Sequence, residues 1–107
     1  MAPEEIIEMF SAFGPVAVRR MFGGAGIYAG DTMFALVADD QLYFKADAQN
    51  RVLFEEHELL PFTYESKGKR VTMSYYSAPE EVFDDEEAMT QWASRAVDAA
   101  RRGAKVK

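Results

Sequence analysis

From Val16 to Ala46 the chain runs in short stretches of strand character separated by turns rich in glycine or aspartate, a pattern that specifies adjacent antiparallel strands. Val16, Val18, Arg20 and Phe22 share one strand face, and Ala17, Arg19 and Met21 share the other, because successive side chains alternate across a strand. Arg20 is thereby placed on the more apolar face. A strand over 26–29 follows Gly23-Gly24-Ala25-Gly26, and Gly30-Asp31 suits a two-residue type II′ turn, with glycine supplying positive φ at its first position. The returning strand, 32–38, is apolar on both faces, as expected of a central strand covered by a helix layer on one side and a partner on the other. Asp39-Asp40 turns the chain again. In 41–46, Leu42, Phe44 and Ala46 alternate with Gln41, Tyr43 and Lys45, which describes a half-buried strand with one wetter side.

Helical spacing brackets this region. Ile6, Met9, Phe10 and Phe13 recur three and four residues apart after Pro3, predicting a helix over 4–12 that Gly14-Pro15 stops. Asp47 is placed to cap a helix over about 48–58, with Val52, Leu53 and Leu59 toward the core. Phe62, Tyr64 and Ser66 alternate into Lys67-Gly68-Lys69, and Val71, Met73 and Tyr75 alternate out, giving a second hairpin. A short helical turn begins at Ser77-Ala78-Pro79-Glu80. Asp84 with Glu87 fits a capping box for a long helix over 85–101, whose stripe of Met89, Trp92, Ala93, Ala96, Val97 and Ala100 should pack on the sheet with Trp92 as its anchor. The order implies an α-β(3)-α-β(2)-α arrangement: an α+β, two-layer domain with an antiparallel sheet of about five strands and helices on one face.

With 107 residues, 49% of them hydrophobic, the chain fits one domain over 1–107 with a basic tail at about 102–107. It contains no cysteine, so a disulfide framework, a thiolate metal site and a cysteine nucleophile are all excluded. His57 is the single histidine and is assigned no role; no metal and no cofactor is expected. The acidic start Glu4-Glu5 is unlike a signal peptide and no apolar run approaches the ~20 residues of a membrane span, so a soluble, unprocessed, cytoplasmic protein without membrane contact is expected. The net charge of −6 disfavours delocalised attraction to phosphate backbones. Charge is nonetheless segregated: residues 65–76 carry +2, residues 101–107 carry +4, and residues 77–100 carry −6.

The candidate site is the junction where Arg19-Arg20 runs into Gly23, Gly24 and Gly26 and then into Tyr28, with Lys45 and Tyr75 as further candidates. The glycines suit a β-bulge or tight strand corner; the alternative is an anion nest of freed backbone amides, though neither a Walker loop nor a dinucleotide loop is present, because Ile27-Tyr28 continues as strand. Arg19 and Arg20 offer bidentate forks to a carboxylate or phosphate, or Arg20 pairs internally with Glu65, Glu80 or Glu81. Tyr28, Tyr43, Tyr64, Tyr75 and Tyr76, beside Lys45, Lys67, Lys69 and Arg70, read first as cross-strand packing and second as a stacking surface for bases. The carboxylates lie at helix starts or on helix faces, and Ser74 has no histidine and acid in sequence context, so no catalytic constellation is found and no enzyme is expected.

The run from Arg19 to Tyr28, with Met33-Phe34-Ala35-Leu36-Val37, Leu42-Tyr43-Phe44-Lys45, Pro61-Phe62-Thr63-Tyr64 and Met73-Ser74-Tyr75-Tyr76, resembles the N-terminal domain of the TfoX/Sxy competence-regulator family over nearly the whole chain. The resemblance implies an α+β fold related to secretion chaperones. It also implies a link to regulators that activate genes for natural DNA uptake alongside a cyclic-AMP-responsive activator; the longer members carry a C-terminal domain that this chain is expected to lack. The resemblance supplies no catalytic residues. The resulting expectation is a non-catalytic interaction or regulatory module that meets a protein partner, or a second copy of itself as a homodimer, through the Arg19–Tyr28 junction and the adjacent sheet. Binding of a small anionic ligand or nucleotide at the glycine corner is the alternative, and direct nucleic-acid contact a weaker one.

Overall fold

The computed structural model describes residues 1–21 and 23–105. Among these residues three helices, α1 (Pro3–Met9), α2 (Arg51–Glu56) and α3 (Glu86–Lys105), accompany six strands: β1 (Ala17–Met21), β2 (Gly24–Ala29), β3 (Thr32–Ala38), β4 (Gln41–Lys45), β5 (Pro61–Ser66) and β6 (Lys69–Ser77). The strands form one antiparallel sheet in the order β1-β2-β3-β4-β6-β5. This is the α+β architecture expected, with six strands, four before α2 and two after it, where about five were expected. Phe22, expected on the Val18 face, lies outside the described residues.

The turns follow backbone chemistry. Asp39 and Asp40 both take positive φ (50° and 62°), as do Lys67 and Gly68 (53° and 77°), the conformation that lets a two-residue turn match the twist of its strands. Gly30 has φ 61°. In β3 the pairing Ile27↔Ala35 is followed by Tyr28↔Met33, so Phe34 is an extra residue, a bulge. Two successive residues, Phe34 and Ala35, are consequently both buried in the same core. This bulge accounts for part of the continuous apolar run in β3.

The core lies between one face of the sheet and the helices α1 and α3. Phe10 meets Phe34 and Phe44 edge-on, with ring centroids 5.5 and 6.3 Å apart, and Phe54 packs between Tyr76 and Trp92, each at 5.2 Å. Trp92 is buried as expected, with Ala93, Ala96 and Val97 beside it. Helix α1 is shorter than expected, closing at Met9 with a turn through Phe13; the Glu5 carboxylate accepts the Ala2 N–H at 2.8 Å to hold its start. Helix α2 is also short, and Val52, expected in the core, is exposed, while Phe54 is the buried anchor and Leu53 and Leu59 pack at its margin. The cap of α3 is Asp85 and not Asp84: Asp85 Oδ1 accepts the N–H groups of Glu87 and Ala88 at 2.9 and 3.2 Å. The residues before it, Glu80–Phe83, form a 3₁₀ turn.

The start of α2 is tied to the end of α3. Asp47 accepts the N–H groups of Gln49 and Asn50 through Oδ1, and the Arg102 guanidinium donates to both its oxygens at 2.6 and 2.9 Å. Buried Asn50 completes the turn, donating to the Lys45 carbonyl at 3.1 Å and accepting the Asp47 N–H at 2.7 Å. His57 sits edge-on to Trp92, its Nδ1 within 2.9 Å of the Leu53 carbonyl oxygen.

Candidate functional site

The glycine corner is a tight approach of two strands. A Cβ placed on Gly24 would stand 2.2 Å from the Val37 carbonyl oxygen, so β2 can begin only where there is no side chain. Gly23 turns the chain with φ 79°, in open space. Gly26 is buried, its missing Cβ replaced by the sulfur atoms of Met21 and Met33 at 3.1 Å.

The corner separates two clefts. On the helix side, a cleft of about 470 Å³ lies between the start of α1 and the strand ends, lined by Val18, Arg20, Gly23, Gly24, Asp39 and Asp40 among others. On the side without helices, a groove of about 480 Å³ is lined by Met21, Gly24, Leu36, Phe62, Tyr64 and Met73, with Val37 and Ala38. The β5–β6 hairpin supplies one wall of this groove and the β1–β2 corner the other. Tyr43 lies beside it, its ring 5.0 Å from Phe62, and Phe62 stacks on Tyr64 at 6.0 Å.

Beyond the groove the open face becomes cationic and aromatic. The Arg19 guanidinium lies 4.8 Å from the centre of the Tyr28 ring, and Lys45 Nζ lies 5.1 Å from that of Tyr75 while donating to Ser74 Oγ at 2.6 Å. Burial, and after it the neighbouring Tyr28, pushes the Tyr75 phenol up to about 12, so this hydroxyl stays neutral at physiological pH. Burial raises Tyr43 as well, with the Asp39 charge adding to it.

Five of the residues singled out from sequence thus share the open face: Arg19, Gly26, Tyr28, Lys45 and Tyr75. Gly23 and Gly24 form the hinge of the corner. Arg20 belongs to the opposite face, beside Val18, but at the sheet margin, where it is exposed. The internal salt bridge expected for it does not form: among the described residues the ion pairs join Met1 to Asp40, Arg51 to Glu55, His57 to Glu81 and Arg102 to Asp47. A margin position explains this, because water solvates a guanidinium there and no burial forces a partner on it. The cleft that holds Arg20 also holds Asp39 and Asp40, and the Asp40 carboxylate is already paired with the Met1 amino group.

Sequence reasoning passed over Met21, Leu36, Phe62 and Met73 as groove residues. The signal was strand parity. Leu42 and Phe44 are buried under the helices, so the alternate positions Tyr43 and Lys45, and their neighbours across the sheet, had to form the other surface. Among the described residues no group of three His, Cys, Asp or Glu side chains is placed to hold a metal ion, and no helix is long and apolar enough to cross a membrane.

The described residues thus form an α+β domain with one helix-covered and one open sheet face. The chain belongs to the TfoX N-terminal domain family, whose model matches residues 8–100. It is similar to Protein Sxy of Escherichia coli (strain K12), with 29% identity over 93 residues, covering 87% of this chain and 44% of that protein. It is also similar to DNA transformation protein TfoX1 of Aliivibrio fischeri (strain ATCC 700601 / ES114), with 31% identity over 77 residues, covering 72% of this chain and 37% of that protein. The chain therefore spans less than half the length of these curated relatives. Its family is that of the competence regulators and not a known enzyme family.

Proposed function

We propose that this chain is a non-catalytic regulatory module that acts on transcription of competence-type genes by meeting a protein partner with the open face of its sheet, next to the Arg19–Tyr28 corner. One observation carries the reading: a groove of about 480 Å³, walled by Met21, Leu36, Phe62, Tyr64 and Met73, occupies the sheet face that no helix among the described residues covers. Methionine and aromatic side chains give such a surface apolar area that adapts to the shape of what it meets. The flanking Arg19 and Lys45 add charge at one side of the groove. Family membership supports the regulatory part of the reading.

The test uses cells that carry a competence-promoter reporter and this chain with a photo-reactive residue at position 64. The expected result is a specific adduct with a component of the transcription machinery, and loss of both adduct and reporter signal in M73E. That variant should remain folded by circular dichroism, since Met73 is only half-buried. A folded M73E that still forms the adduct and drives the reporter would overturn the reading, as would a wild-type chain that does neither.

A further inference from the structure

Strand β1 is an outer strand of the sheet. It pairs with β2 on one side, and among the described residues no hydrogen bond beyond that pairing joins its backbone to any other segment. A row of backbone donors and acceptors is therefore left for another strand. Arg19 and Arg20 stand side by side on this edge and so project to opposite faces of the sheet. Both are exposed, and neither enters an ion pair among the described residues. Clefts flank the edge on both faces: Val18 and Arg20 line one, and Met21, at the corner, lines both.

Two copies of the chain are poorly suited to pair here. Antiparallel β1–β1 pairing centred on Arg19-Arg20 would set the arginines of one copy against those of the other, and like charges directly opposite on a sheet are destabilising. A partner of the opposite sign is favoured at the same positions, where each guanidinium can hold a carboxylate by two parallel hydrogen bonds.

We infer that the β1 edge accepts an added strand from an acidic protein partner, in the pattern apolar-acidic-acidic-apolar. The pattern follows from antiparallel register: an apolar residue faces Met21, acids face Arg20 and Arg19, and a second apolar residue faces Val18. Main-chain hydrogen bonds supply the attraction and the two clefts receive alternate side chains. The inference rests on the proposed function in placing a protein partner at this corner, and adds the mode of contact and the partner's chemistry.

The experiment titrates the ¹⁵N-labelled chain with the peptide Thr-Val-Glu-Glu-Val-Thr to about 1 mM. Two further peptides are run beside it: one with Lys-Lys in place of Glu-Glu, and one N-methylated at alternate amides. The expected result is saturable shifts centred on the amides of Ala17–Met21 with the acidic peptide alone. The double variant R19E/R20E should lose the acidic peptide by about tenfold and gain the lysine peptide instead. Equal binding of the acidic and lysine peptides, indifference to N-methylation, shifts centred on Phe62 and Met73, or no shift at all would overturn the inference without needing the variant. So would a concentration-dependent dimer whose contacts map to β1. If the peptide fails while photo-crosslinking from position 64 still captures a partner, strand addition falls and the groove reading stands; if crosslinking fails, the proposed function falls on its own test.

Discussion

At Gly24 a single methyl group would overlap the Val37 carbonyl oxygen, 2.2 Å away, and both backbones are held in paired strands. Neither can yield without breaking the ladder. G24A should therefore cost about 2 kcal/mol, in the range of forced overpacking. Gly26 has a comparable crowd, with sulfur atoms of Met21 and Met33 at 3.1 Å, but these are the ends of flexible side chains. G26A should cost under about 1 kcal/mol, since turning one thioether aside is a rotamer change. Gly23 has open space around it and a φ of 79°, so G23A carries only the penalty of a left-handed residue, about 1 kcal/mol. Urea unfolding monitored at Trp92 would rank the three, and equal midpoint shifts would show that close approach is not what the corner requires. The same measurement separates structure from binding, because Arg19 and Arg20 are exposed and their replacement should leave the midpoint nearly unchanged.

Among the elements, the join between α2 and α3 depends on one carboxylate. Asp47 caps the turn into α2 and receives the bidentate Arg102, and that hydrogen-bonded guanidinium is the main reason its carboxyl drops from 3.8 to about 2. A carboxyl whose pKa is lower in the folded chain stabilises it fully above the unfolded value and loses that contribution as pH falls toward the folded value. D47N, which keeps a capping oxygen and loses the charge, should be less stable than wild type by about 1 kcal/mol at neutral pH. The gap should narrow below about pH 4 and close as pH falls through about 2. Thermal melts of both proteins from neutral pH down to about pH 1 check it; a gap undiminished at the acid end would assign the effect to packing. Local chemistry of this kind was legible in the sequence: the role of Asp47, the two-residue turns, the Trp92 stripe and the alternation of β4 through β6 follow from spacing. What depends on distant neighbours was not. Phe34 and Ala35 share a core because β3 is bulged opposite Ile27, and β6 lies between β4 and β5 because the chain returns to the sheet after α2. Arg20 has no acid because its strand is at the margin, a fact about sheet order that no alternation pattern contains. The pairing of Arg19 with Tyr28 and of Lys45 with Tyr75 likewise needed the cross-strand register.

For the whole molecule, charge decides what kind of partner the domain can approach. The net charge is −6, and the basic groups are dispersed: Arg19 and Arg20 on β1, Lys45 on β4, Lys67, Lys69 and Arg70 at the β5–β6 turn, and others along α2 and α3, where Arg102 is already held by Asp47. A protein binding a duplex neutralises several phosphates at once, and its affinity falls with salt at a slope of roughly 0.9 per phosphate contact. Three cations on one hairpin would give a slope near 3, which removes about fortyfold in affinity between 50 and 200 mM salt. Against the repulsion of a net anionic body, that leaves no measurable attachment at physiological salt. Titrating labelled duplex DNA at 50 and 150 mM salt should give no saturable signal at the higher concentration, and K67E should change nothing there. Saturable, sequence-tolerant binding at 150 mM with a slope well above 3 would mean that cations from the hairpin and from α3 act together on one duplex. The domain would then be a direct DNA-binding surface, and the partner proposed for the open face would no longer be needed to bring it to a promoter.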